Sequence, residues 1–342
     1  MNVKRYDLTK TAKILMLLLT VTFAAVDLIG WNRLCESRLH WWGVLLAEAV
    51  LYGAAAFFCV RMAVKDKKGE ETALGNFFQT IARYEFLIQQ LVERDFKIKY
   101  KRSVLGVFWS FLNPLLMMIV QYVVFSNLLN VRDGSIQHYA IYLLCGIVMF
   151  NGFNDCCNQS MRAIIGNASL ITKVYVPKVI YPVTKVLSAS INIVLSMVPL
   201  LLVTVIYGLF NGLYLHWSVL LIPLALVFLI MFCIGMGLLL SCLMVFFRDT
   251  EFLWSVISTM WMYATPIIYS TSLLERGGAH WLAQLEQFNA LYHYVDFLRV
   301  IIIDGQCPAL REFVICFAFG LGMILFGWFV FHKNEDKFVL YI

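Results

Sequence analysis

Apolar residues run in long blocks broken by short charged stretches, a pattern that predicts helices built to cross a membrane. The blocks fall at about 14–31, 41–63, 104–127, 138–162, 182–208, 217–246, 252–270 and 309–331, each near the roughly 20 residues that span a hydrocarbon core. Eight spans are expected. Two further segments carry apolar residues at helical spacing beside polar ones. In the first, Phe77, Ile81, Tyr84, Ile88, Leu91 or Val92, and Phe96 alternate with Gln79, Arg83, Gln90, Arg94 and Lys97. This is an amphipathic helix too polar to span, suited to the membrane interface. In the second, Leu282, Leu285, Phe288, Leu291 or Tyr292, Val295 and Leu298 accompany Glu286, Asp296 and Arg299, predicting an amphipathic helix before the last span. The linker RMAVKDKKGEETALG follows the first two spans and sets them apart as a hairpin. The expected organisation is an all-α integral membrane protein with a two-span hairpin and linker over 1–75, an interfacial helix over 76–103 and a six-span unit over 104–342.

Composition agrees: 61% of the 342 residues are hydrophobic and 14% charged, against about 25% charged in soluble domains. With the N-terminus inside, most of the 27 Lys and Arg residues fall on inner segments, as the positive-inside rule requires. Both termini are then cytoplasmic, and the net charge of +6 reflects the inner leaflet, not nucleic acid. The first apolar run contains Asp27 and ends in GWNRLCE without a small-residue cleavage pattern, so it reads as a retained span. The nine cysteines lie mostly within spans and show no CxxC spacing, and the histidines are scattered over separate loops, so no metal centre is expected.

The stretch LVERDFKIKYKRSVLGVFWSFLNPLL places Lys97, Lys99, Lys101 and Arg102 directly before the third apolar block. This is a membrane-surface boundary where basic side chains meet anionic headgroups. Within the third block Ser110, Asn113, Met117 and Gln121 form one helical row, with Tyr122 beside it and Trp109 near its start. In the seventh, Trp254, Ser258, Trp261, Thr265 and Tyr269 do the same. Lipid is a poor destination for either row, which leaves helix packing or a polar path. Asn151, Asn154, Asp155, Asn158 and Gln159 make a third polar cluster. Its carboxylate is costly at that depth unless Arg162 or a partner group neutralises it. Asp27 and Glu48 pose the same question in the hairpin. Between the fourth and fifth blocks, Pro177 and Pro182 in LITKVYVPKVIYP bracket a segment expected to continue neither neighbouring helix. The FRDT turn at 247–250 offers Arg248 and Asp249 as a local charge pair.

Four ordered blocks carry a family resemblance: RDFKIKYKRSVLGVFWSFLNPL, NASLITKVYVPKVIYPVTKVLSASIN, FFRDTEFLWSVISTMWMYATPIIYS and NALYHYVDFLRVIIIDG. Over about residues 76–342 the chain resembles polysaccharide-exporting ABC transporter permeases, which move O-antigens, teichoic acids and capsular glycans. The tail HKNEDKFVLYI looks closer to the teichoic-acid type. Two features depart from the pattern: Ala290 follows Asn289 where the family commonly has Pro, and the N-terminal hairpin is an addition.

The resemblance implies a homodimer paired with two copies of a separate ATPase subunit that binds ATP and Mg. This chain has no GxxxxGK[ST] loop, so it is not expected to be an enzyme or to hold a cofactor. The resemblance places the coupling helix at Ile171, Lys173, Val174, Tyr175, Pro177 and Lys178. It also puts the third and seventh spans beside the conduit and an outer lid before the last span. A glycan presents hydroxyls and flat ring faces, which suits the two polar and aromatic rows. A lipid-linked glycan carries a pyrophosphate, for which Lys97, Lys99, Lys101 and Arg102 form the candidate headgroup site. Alternatives are a permease for another amphipathic lipid or drug, a secondary transporter, for which the core has few buried charges, and a membrane glycosyltransferase, for which no metal-binding acidic pair is seen.

Overall fold

A computed structural model of the protein describes residues 84–101, 103–128, 138–173, 176–212, 216–269 and 286–341. The expected N-terminal hairpin, with Asp27 and Glu48, lies outside the described residues, as do Arg102, Val174 and Tyr175. The chain divides between Gln90 and Leu91 into two units. Of the first, residues 84–90 are described and enter helix α1 (Glu85–Tyr100), where Gln89 donates to Glu85 at 3.5 Å.

The second unit contains α2 (Phe108–Tyr122, continued by a wider π turn over Val123–Leu128), α3 (Tyr139–Met161) and two short helices, α4 (Ala163–Gly166) and α5 (Ala168–Ile171). Next come α6 (Ile180–Asn211), a 3-10 turn (Trp217–Leu221), α7 (Ile222–Phe246), α8 (Thr250–Ala264), α9 (Ala290–Ile302) and α10 (Leu310–Asn334). A 3-10 turn (Glu335–Lys337) and α11 (Phe338–Tyr341) close the described chain. Among the described residues, five segments are long and apolar enough to cross a membrane: Phe108–Phe125, Tyr139–Met161, Ile180–Phe210, Trp217–Phe246 and Leu310–Lys337. α3 is the central helix, with most of its residues buried, whereas α2 turns nearly all of its side chains outward. α7 and α10 meet backbone to backbone. A Cβ added at Gly235 would run into the Met323 backbone, and one at Gly327 into the Gly235 carbonyl, so only glycine permits this approach.

Three expectations change. The block at 252–270 is not one continuous helix, because α8 stops at Ala264. Thr265 precedes Pro266 and is driven to an extended conformation (φ −100°, ψ 129°), as steric contact with a following proline ring requires. At 15 residues α8 is about 22 Å long, short of a core about 30 Å thick. Of the amphipathic helix expected before the last span, Leu282 and Leu285 lie outside the described residues, and α9, from Ala290, is buried on most of its surface and not on one face alone. Asn289 caps it, accepting from the Leu291 N–H at 3.0 Å, so the cap forms without the family's proline. Finally, Pro182 does not end the segment after Pro177, because α6 already starts at Ile180. In the first turn a proline's missing N–H would have had no helical partner.

Candidate functional site

Connectivity and contacts place the ends of α3, α7 and α10 with the starts of α6 and α8. Arg162 pairs with Glu251, and Lys178 Nζ donates to the Glu335 carbonyl at 2.5 Å while lying 5.9 Å from the centre of the Phe338 ring. At this end α1 is anchored through Asp95, whose side chain is 7% exposed. Arg94 donates to Asp95 Oδ1 at 3.0 Å. Lys185 Nζ lies 2.8 Å from Asp95 Oδ2 as a charge contact, not an aligned hydrogen bond. Arg94 also reaches Asn167 Oδ1 at 3.4 Å, and Asn167 donates to the Ala163 carbonyl at 2.8 Å. α1 is thereby tied both to α6 and to the turn before the expected coupling segment.

A second set of polar contacts runs from α1 between α2, α3 and α6. Lys99 pairs with Asp155 Oδ2 at 3.0 Å, and Gln159 donates to Asp155 Oδ1 at 2.9 Å. Tyr100 donates to Asn192 Oδ1 at 2.5 Å and stands 2.6 Å from Ser110 Oγ. Ser196 donates to the Ser110 carbonyl at 3.1 Å. The partner of Asp155 is therefore Lys99, not Arg162. Seven positions take Arg162 to the end of α3, where Glu251 is in reach, while the chain's return brings Lys99 alongside. Among the expected headgroup residues, Lys97 is exposed and paired with Glu93 at 2.5 Å, Lys101 is exposed and Lys99 is engaged.

The polar face of α3 is only partly covered. Asn151 and Asn158 are exposed, and Asn154, Asp155 and Gln159 are half-buried. On α2, Trp109, Asn113 and Met117 are exposed, while Ser110, Gln121 and Tyr122 are half-buried. Tyr122 lies 6.0 Å from the Tyr139 ring. The row on α8 turns instead toward the chain's own core. Trp254 and Trp261 meet Phe153 at 6.0 and 5.4 Å between ring centres, Trp261 meets Phe232 at 6.2 Å, and Ser258 and Thr265 are buried. In the single chain this row packs. The opposite face of α8, with Phe252, Val256, Met260 and Tyr263, is exposed. In the expected coupling segment Lys173 is exposed, Ile171 and Pro177 are half-buried, and Lys178 is held by the C-terminal turn.

At the far end a set of side chains holds the irregular stretch that follows α8. Tyr139 Oη donates to the Ile268 carbonyl at 2.9 Å, and Tyr142 Oη lies 3.0 and 2.8 Å from the Pro266 and Tyr269 carbonyls. Arg299, 6% exposed, donates to the carbonyls of Pro266 at 2.9 Å, Ile267 at 3.2 Å and Tyr142 at 3.3 Å. Its guanidinium lies 3.4 Å from the centre of the Tyr142 ring. Asn289 completes the set, accepting from Trp261 Nε1 at 2.8 Å and donating to Thr265 Oγ1 at 2.9 Å. Non-helical backbone in a membrane protein needs such partners, since lipid offers none. Tyr269 donates to the Tyr263 carbonyl at 2.7 Å. The amphipathic pattern flagged Arg299 and the family resemblance drew attention to Asn289, but their common target had no signal in the sequence.

Residues 86–303, well over half of the chain, match the family described as ABC-2 type transporter. The O-antigen export system permease protein RfbA of Klebsiella pneumoniae is 26% identical over 253 residues, covering 74% of this chain and 93% of that protein. Its namesake in Myxococcus xanthus is 26% identical over 256 residues, covering 75% and 95%. The capsule polysaccharide export inner-membrane protein CtrC of Neisseria meningitidis is 22% identical over 223 residues, covering 64% and 83%. With five apolar helices of spanning length and a family match that runs from α1 through α9, this chain belongs to the ABC-2 type transporter membrane family.

Proposed function

We propose that this chain is the membrane subunit of an ATP-driven exporter that carries a lipid-linked polysaccharide from the cytoplasm to the cell surface. The observation that carries this reading is the polar face of α3. Asn151, Asn154, Asp155 and Asn158 sit along a 23-residue span and are not fully covered by this chain. With Asp155 already paired to Lys99, the partly uncovered carboxamides at that depth call for water, protein or a hydroxyl-rich cargo. A sugar polymer supplies such hydroxyls. The export permeases for O-antigen and capsule named above support the same cargo class.

In this proposal two copies of the chain pair with two ATPase subunits, which bind ATP and Mg. The core makes six crossings, and both termini lie in the cytoplasm of the producing cell. Trp109, Ser110, Asn113, Met117, Gln121 and Tyr122 border the path, backed by Trp254, Ser258, Trp261, Thr265 and Tyr269. Ile171, Lys173, Val174, Tyr175, Pro177 and Lys178 form the ATPase contact. Lys97 and Lys101, exposed on one face of α1, serve the pyrophosphate headgroup, with Arg102 beside them. Lys99 holds α1 in place.

The test is deletion of the gene in its producing cell. Loss of surface polysaccharide, with lipid-linked polymer retained inside and restored by the intact chain plus its ATPase, is the expected result. Normal surface polysaccharide combined with loss of a different lipid or drug efflux would overturn the cargo, and transport without any copurifying ATPase would overturn the energy source.

A further inference from the structure

His293 is buried on α9 and spans two acceptors. Its Nδ1 lies 2.9 Å from Glu312 Oε2, in the first turn of α10, and its Nε2 lies 2.9 Å from the Gln287 carbonyl, in the turn before α9. Phe319 stacks on the ring at 5.8 Å and Tyr292 meets it edge-on at 5.2 Å. A carbonyl oxygen only accepts, and so does an ionised carboxylate. Two such bonds need a hydrogen on each side of the ring, and a neutral imidazole carries one. We propose that His293 and Glu312 form a proton-binding site, which holds one proton more than a neutral histidine and a separate carboxylate, and which clasps the turn before α9 to the head of α10 while that proton is bound.

Asp296 on α9 lies near His293, Glu312 and Asp304, and Cys316 on α10 lies near Glu312 and Asp296. Burial raises the Asp296 carboxyl above the ordinary carboxylate range, with Arg299 pulling it back. Arg299 is the competing cation, but it is spent on three carbonyls and the Tyr142 ring. From α3 and α7, Tyr142 and Cys145 face Arg299 and Cys233 faces Tyr294. The extra proton has one consequence for the chain. It couples the Gln287 carbonyl to α10, and its loss as pH rises leaves an acceptor facing an acceptor.

Hydrogen exchange on the full chain with its ATPase partner, read for the peptide covering Gln287–Leu291 and corrected for intrinsic rates, tests this. Between about pH 5.5 and about pH 9, a range that brackets an ordinary histidine, protection in the wild type is expected to fall about tenfold, the size of a charge-assisted bond lost. Glu312→Gln replaces the carboxylate by a carboxamide that donates to Nδ1 and leaves the Nε2 hydrogen for Gln287, so its protection should stay within about twofold over the same range. An equal pH response in both proteins, or none in either, overturns the site. If Glu312→Gln does not accumulate, isotope-labelled magnetic resonance of the wild type decides at about pH 7. A histidine protonated on both nitrogens, or a protonated glutamic acid beside one, supports the site. Six singly protonated rings with ionised glutamates overturn it.

Discussion

Arg299 shows why a buried cation matters more through what it holds than through its charge. Its fork reaches the Pro266, Ile267 and Tyr142 carbonyls, and Gly146 leaves space for it: a Cβ there would lie 3.2 Å from Arg299 Nη2 and 2.7 Å from Ile267 Cγ2. Lysine offers a single point of charge and cannot hold three carbonyls in a plane. Arg299→Lys is therefore expected to lower the thermal midpoint of the detergent-purified protein, and Arg299→Ala to cost about 3 kcal/mol or more through orphaned buried carbonyls. A midpoint unchanged in both would show that the stretch after α8 holds itself. Asp95 gives a second case at this scale. Removing its charge by Asp95→Asn leaves Lys185, 24% exposed, without its partner, a loss of about 1–3 kcal/mol, less than for a fully buried pair. The double variant Asp95→Asn with Lys185→Met should recover much of that loss, and failure to recover any would mean Lys185 is not what Asp95 serves.

At the scale of elements, the α7 and α10 pair makes the sharpest prediction, because two glycines, Gly235 on α7 and Gly322 on α10, face opposite fates. Gly235→Ala would push a methyl into the Met323 backbone, whereas a Cβ at Gly322 meets nothing within 4 Å. The first substitution is expected to destabilise by about 1–3 kcal/mol through overpacking. The second should be neutral or gain up to about 1 kcal/mol from helix propensity. Comparing the folded yield and unfolding midpoint of the two variants checks this, and equal behaviour would deny the close approach. α8 belongs here too. Its Trp261 touches Phe153 and Phe232 and bonds Asn289, so Trp261→Ala should reduce the amount of folded protein before it changes transport. Full yield with lost export would return that ring to the cargo path.

For the whole molecule, the division of labour among the lysines of α1 separates anchoring from cargo contact. Lys99 reaches Asp155, while Lys97 and Lys101 are exposed on another side of the helix. In the assembled exporter, Lys97→Gln with Lys101→Gln is expected to lower cargo-stimulated ATP hydrolysis severalfold with unchanged basal hydrolysis. Lys99→Gln should instead lower the stability of the chain by loosening α1 from α3. Equal losses of stimulation from the two sets, at equal stability, would reduce the cluster to general attraction for anionic lipid.

What the sequence determined by itself was the membrane class, the approximate limits of five spanning helices and the family, because long apolar blocks and ordered motifs are local signals. It also singled out Asp155 as a charge that needs a neighbour. It did not name Lys99, since a partner 56 residues away is visible only once α1 lies against α3. The same limit explains the block at 252–270. Its hydropathy is that of a span, yet Pro266 turns the backbone out of the helix after Ala264, and distant side chains then satisfy the freed carbonyls. Apolar periodicity likewise showed that the helix containing Leu291 and Leu298 has a buried face, but its burial on nearly every side depends on α3, α7 and α10 closing around it. Hydropathy reports how much of a segment avoids water. Which neighbour covers it, and which polar atoms it must satisfy there, is decided by the tertiary structure, because those partners come from parts of the chain far apart in sequence.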